Sequence, residues 1–174
     1  MGEPVTGWWR SNAVGLGALA VLIPALALTI GWNETAPGAS NSPTRAVALT
    51  PGSSTDYAGA VVGPVQADVV ELPLAPQGTR VVTVAIEVDP GASPFSCASP
   101  VLREIGGSGR QWNARTDLGR EWDPDRQTFC DAESTARFTL ELDYLVPDDA
   151  SGPFAVELGS PEAYPEFVSA VVEP

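Results

Sequence analysis

The residue types behind most enzymatic and metal chemistry are missing. The chain has no histidine, and its nine basic residues are all arginine. Without imidazole it lacks the commonest general base and the commonest transition-metal ligand. Without lysine it can form no Schiff base and supply no phosphate-loop ammonium. What remains is carboxylates and aromatics: Glu104, Glu121, Asp123 and Glu133 fall in an irregular middle stretch that also holds Trp112 and Trp122. Two carboxylates across a cleft can hydrolyse a glycosidic bond, and an indole can stack on a sugar ring. With 22 acidic residues, however, chance clusters are common, and the simpler reading is a solvated acidic loop over two core tryptophans. Trp112, Trp122, Glu121 and Asp123 are therefore singled out as contacts for a ligand, with no catalytic residue assigned.

Other chemistries fail on spacing. Asp123-Pro124-Asp125 and Asp148-Asp149 offer oxygen ligands for Ca²⁺, but neither has the spaced loop of a dedicated site, and Asp before Pro commonly makes a turn. Gly107-Ser108-Gly109 is not a nucleophile elbow, and no histidine exists to activate the hydroxyl. No metal or cofactor is expected. The two cysteines, Cys97 and Cys130, are too far apart in sequence for a redox pair, and read as a structural disulfide. Such a bond, closing a loop of about 34 residues, would stabilise by roughly 3 to 4 kcal/mol on the chain-entropy model. The alternative is two buried free thiols.

These residues must be held by something, and the first element is a greasy one. Between Ser11 and Asn33 there is no charge, and Ala13 to Gly31 is almost continuously apolar. At 1.5 Å per residue that run spans roughly 28 Å, close to the hydrocarbon thickness of a bilayer. Trp8 and Trp9 flank one end and Trp32 the other, where amphipathic indoles collect at membrane interfaces. Residues 13–32 are thus expected to form a transmembrane helix behind a short cytoplasmic N-terminus, 1–12. A cleaved signal peptide competes with this, because Ala25-Leu26-Ala27 has the small-x-small pattern a peptidase accepts, just after Pro24. Against cleavage, the leader's only positive side chain is Arg10 and the apolar run continues to Ile30. No cysteine lies near the segment for lipid attachment. Arg10 before the segment, Glu34 after it, and a disulfide beyond it all place the C-terminal region outside the cell.

Residues 33–45 are polar, small and proline-bearing, as in a flexible spacer. From 46 to 174 the apolar residues recur with period two, the pattern of half-buried strands. In one run Val82, Val84, Ile86 and Val88 share a face; in another Phe138, Leu140, Leu142, Tyr144 and Val146 face in while Arg137, Thr139, Glu141 and Asp143 face out. Shorter candidates are 46–49, 61–72, 101–105, 111–114, 154–158 and 167–172, separated by turn pairs such as Pro51-Gly52, Gly63-Pro64, Pro90-Gly91 and Gly152-Pro153. The stretch 117–126 has room for a helical turn, limited by Pro124. Seven or eight short strands with frequent turns predict an all-β fold, an Ig-like antiparallel β-sandwich. The net charge of −13 repels phosphate backbones, so nucleic acid is not an expected partner.

The strand Val81 to Val88, the element Leu102 … Gly109-Arg110-Gln111-Trp112 and the turn Tyr144 to Pro153 resemble those of actinobacterial single-pass envelope proteins with an extracellular Ig-like β-sandwich domain. The resemblance covers residues 46 to 160 and carries over no functional residue. It implies a cell-membrane protein with its folded domain outside, a protein partner in the envelope, and a binding or scaffold role without catalysis. A cell-wall or carbohydrate-binding surface protein and a cleaved, secreted β-domain are the competing expectations.

Overall fold

The computed structural model describes residues 6–35 and 42–174, as two compact units with the division after residue 41. Residues 36–41 of the expected spacer and the first five residues lie outside the described set. In the N-terminal unit a short helix α1 (Thr6–Ser11) leads into α2 (Ala13–Thr35). Asn12 N donates to Trp8 O at 3.1 Å and Leu16 N to Asn12 O at 2.8 Å, so the backbone bonding bridges the two helices. Ala13–Trp32 is 20 residues long and none of it is buried. An apolar helix uncovered all round is long enough, at about 30 Å, to cross a bilayer; a signal sequence has the same length and composition.

The regular elements of the second unit are all strands. Its nine strands are β1 (Arg45–Leu49), β2 (Thr55–Tyr57), β3 (Ala60–Val70), β4 (Thr79–Asp89), β5 (Val101–Glu104), β6 (Gln111–Arg115), β7 (Phe138–Pro147), β8 (Phe154–Gly159) and β9 (Glu166–Val172). They form one sheet in the order β1-β9-β8-β5-β6-β7-β4-β3-β2. The expectation of a purely antiparallel sheet is corrected at one edge: β1 runs parallel to β9, from Arg45 opposite Glu166 to Leu49 opposite Ala170. The sheet is therefore mixed. A parallel neighbour arises because the connection from β1 to β9 spans the rest of the domain rather than a hairpin.

Strand β6 turns the corner. Its first residues pair with β5, Leu102 opposite Trp112, and its last with β7, Ala114 opposite Tyr144. The sheet thus folds over until its ends nearly meet. Tyr57, at one end in β2, donates its hydroxyl to Glu166 O at 2.8 Å and accepts from Ser160 N at 2.8 Å, beside the strands of the other end. Burial pushes the Tyr57 hydroxyl above the ordinary phenol range. Between the two halves lies one core in which Val82, Val84, Ile86 and Val88 of β4 meet Leu140, Leu142, Tyr144 and Val146 of β7, with Phe154, Val156 and Leu158 of β8. The period-two faces read from the sequence are the faces that are buried.

One glycine is fixed by close approach. Gly63 has φ +104°, and a Cβ there would lie 2.5 Å from Ser53 O and 3.0 Å from Leu49 Cδ2. Its β3 also carries a register shift between Val62 and Val65, so the residue sits where the strand bends over the β1–β2 turn.

Candidate binding cleft

The long excursion between β6 and β7, residues 116–137, decides where the polar and aromatic candidates go. It contains no helix; its turn at Pro124-Asp125 is braced by Asp123 Oδ1, which accepts from Asp125 N at 2.9 Å. Three attachments hold it. Leu118 is buried, and its carbonyl accepts from Leu74 N at 3.1 Å. Further on, Gln127 bridges to Leu140 of β7, and Cys130 reaches Cys97 at disulfide distance, with Cα atoms 5.7 Å apart. Cys97 lies in the loop before β5 and not in a strand.

Under this excursion the outward face of the sheet is not the solvated row that alternation predicts. Asp143 points outward from β7, beside Thr83 of β4, yet only 2% of it is exposed. Arg120 covers it with a two-pronged contact, Nε to Oδ2 at 2.7 Å and Nη2 to Oδ1 at 2.6 Å. Arg126 Nη2 adds a bond to Oδ2 at 2.9 Å, and the Thr83 hydroxyl donates to Oδ1 at 2.6 Å. Burial alone would raise the Asp143 carboxyl. The two guanidiniums and Thr83 outweigh it and hold the group below the ordinary carboxylate range. The same contact with Asp143 raises Arg120 further above its already high value. Arg126 Nε is buried without a hydrogen bond and faces Glu141 Oε2 at 3.4 Å.

Above this charged base opens a cleft of about 540 Å³, walled by Leu72, Pro73, Arg120, Trp122, Pro124 and Glu141 among others. Glu121 and Asp123 also line it, so three of the four residues singled out from the sequence come together here. Trp122 is 82% exposed, an indole presented to solvent rather than packed in a core. Trp112 goes elsewhere: it sits on β6, half buried, edge-on to Phe154 at 5.8 Å and under the Arg110 guanidinium at 5.7 Å. It does not line the cleft, so the two indoles form no common platform.

Of the other candidate carboxylates, only Glu104 is taken up by a structural contact among the described residues. Glu104 is buried against Arg110, with Nη2 to Oε1 at 3.0 Å, a contact that lowers its carboxyl. Arg110 also grips Asp149 at 2.9 Å. Glu133 is exposed, outside the cleft. Among the described residues no group of three or more His, Cys, Asp or Glu side chains could hold a metal ion.

Sequence reasoning missed Arg120, Arg126 and Asp143 as a unit. The available signal was faint: two arginines six apart in a proline-bearing loop, and an aspartate that shares the outward face of its strand with Thr139 and Glu141.

No family model, curated protein or solved structure matches this chain. What it does must therefore be read from its own residues.

The guanidiniums of the cleft are committed to Asp143, and the acids at its mouth flank an indole. Flat aromatic surface, carboxylates and an open shape suit recognition of a ligand carrying a polarised or charged group.

Proposed function

We propose that this chain is a non-catalytic, membrane-anchored binding module of the cell envelope, its N-terminus cytoplasmic and its β-domain outside, with the Trp122 cleft as contact surface. The observation that carries the reading is the exposed Trp122 indole, on a loop fixed by the Arg120–Asp143–Arg126 cluster. Large aromatics are enriched at binding surfaces, and a rigid loop loses little entropy on docking. The apolar helix and the paired cysteines support anchoring and an oxidising compartment. An Ig-like sandwich, as in the actinobacterial envelope proteins the sequence resembles, is supported by strand order. The run β3-β4-β7-β6 follows the A-B-E-D succession of such domains, and β5-β8-β9 follows C-F-G. The cysteine pair departs from that family's usual bridge, since it joins two loops.

A photo-crosslinking residue at position 122 in the native host tests the contact surface. A discrete adduct should form there and not at Val171, an exposed position on β9. No adduct, or the same adduct at both positions, refutes it. Sidedness has its own test, because both cysteines lie in the β-domain. After reduction, a membrane-impermeant maleimide should label them in intact cells; labelling only in inverted vesicles would place the domain in the cytosol. Intact mass of the mature chain separates an anchor from a cleaved, secreted form.

Sugar binding is the second reading. It gains from the open cleft with acids beside Trp122 and loses the paired indoles, because Trp112 packs against Phe154.

A further inference from the structure

The cleft beside Trp122 does not stop at Glu141. A second hollow of about 440 Å³ shares Arg126 and Glu141 with it as a common wall and continues past Asp125 and Phe138 to Arg137. Both hollows are lined by β7 and the loop 120–127, and we read them together as one furrow. A furrow of this form suits an extended chain better than a compact small molecule.

Its electrostatics select the kind of chain. Every described arginine from residue 42 onward, except Arg80, is paired with a carboxylate, so the basic charge is already spent. Arg80 instead donates to the Ala150 carbonyl. At the furrow, Arg120 and Arg126 are bound to Asp143, and Arg137 to Asp89 at 2.7 Å. By contrast Glu121, Asp123 and Asp125 have no ion-pair partner among the described residues. Asp123 Oδ1 accepts only a backbone N–H, from Asp125. The mouth is thus an indole with carboxylates on either side in sequence and negative charge left over. A cation over an indole face is attracted by the ring, and flanking carboxylates add to that attraction.

We propose that this furrow seats an extended cationic polypeptide segment of an envelope partner, with one basic side chain lying on Trp122 beside Glu121 and Asp123. The proposal rests on the reading of Trp122 as contact surface and names the class of partner. An anionic lipid surface or a nucleic acid would be repelled by the same carboxylates. A neutral glycan could stack on the indole but would leave the acids desolvated and unpaired.

The test uses the full chain in nanodiscs of zwitterionic lipid and three probes followed by calorimetry: an octapeptide of alternating Lys and Ala, its Glu-for-Lys counterpart, and chitohexaose. The lysine peptide should bind and the glutamate peptide should not. Trp122→Ala should weaken binding by about 2- to 30-fold, the range of a cation–aromatic contact. Glu121→Gln with Asp123→Asn should weaken it and flatten its dependence on salt. Equal binding of the two peptides, or lysine-peptide affinity unmoved by Trp122→Ala, overturns the proposal. Trp122-dependent binding of chitohexaose without lysine-peptide binding also overturns it, yet leaves Trp122 as contact surface. Crosslinking at 122 asks whether that surface has any partner, so the two failures are told apart.

Discussion

Replacing Asp143 by alanine probes the device that positions the cleft. The carboxylate is 2% exposed and receives four hydrogen bonds, from Thr83, from two nitrogens of Arg120 and from Arg126. Removing one partner of a buried ion pair typically costs about 3 to 5 kcal/mol, because the other charge stays behind. Arg120 retains some access to water, with 27% of its side chain exposed, whereas Arg126 has 12%. Partial rescue of Arg120 by solvent places the expected loss near the lower end, about 3 kcal/mol. At a urea slope of roughly 1.5 kcal/mol per molar, the midpoint should fall by about 2 M. Acid supplies a second signature. The folded Asp143 carboxyl lies below its unfolded value, so the unfolded chain takes up the proton first and stability falls as pH drops. The native protein should therefore keep its full advantage over Asp143→Ala above about pH 4 and lose it below, as the folded group is protonated. The exposed Asp148→Ala serves as control and should shift stability by less than about 0.5 kcal/mol. A loss under about 1 kcal/mol for Asp143→Ala, or a gap that does not narrow in acid, would refute the picture of a buried ion cluster holding the loop.

Three further outcomes follow from the same structure. Reducing Cys97–Cys130, or replacing both by serine, should lower stability by roughly 3 to 4 kcal/mol, read as a melting shift with and without reductant. The two indoles should separate cleanly: Trp112→Ala removes a half-buried ring packed on Phe154 and should cost about 2 to 3 kcal/mol, while Trp122→Ala should leave the melt within about 0.5 kcal/mol. Gly63→Ala should cost more than about 1 kcal/mol in urea unfolding, because the new methyl would meet Ser53 O in a backbone conformation that L-residues avoid.

Much of this fold is legible in the sequence because alternation is a local signal. The inward sets of β4 and β7 can be read directly, since each side chain's face is fixed by the pleat whatever the partner strand is. Pairing direction is not local. That β1 lies parallel to β9 depends on where strands more than a hundred residues apart meet, and Ala46 to Leu49 would read the same in either direction. Strand β2 escapes notice for a related reason, since three residues cannot establish a period.

The candidate site was legible in its exposed members and illegible in its foundation. Glu121, Trp122 and Asp123 announce themselves by type in a segment without periodicity. Asp143 occupies an outward position of β7, where alternation says solvent; it is buried because a loop from elsewhere covers that face. That covering is chemically revealing. A well-packed apolar trio would hold the loop as firmly, since buried ion clusters seldom outperform hydrophobic replacements in stability. What guanidiniums and a carboxylate add is direction: Arg120 must meet Asp143 and Thr83 at fixed angles, and Trp122 follows two residues later. An apolar trio could slide and leave the indole's heading undefined. If only stability mattered, Arg120→Met with Arg126→Met and Asp143→Leu should preserve both the melt and the crosslink from position 122. If the cluster aims the indole, the triple variant should melt at or above the native temperature and lose that crosslink.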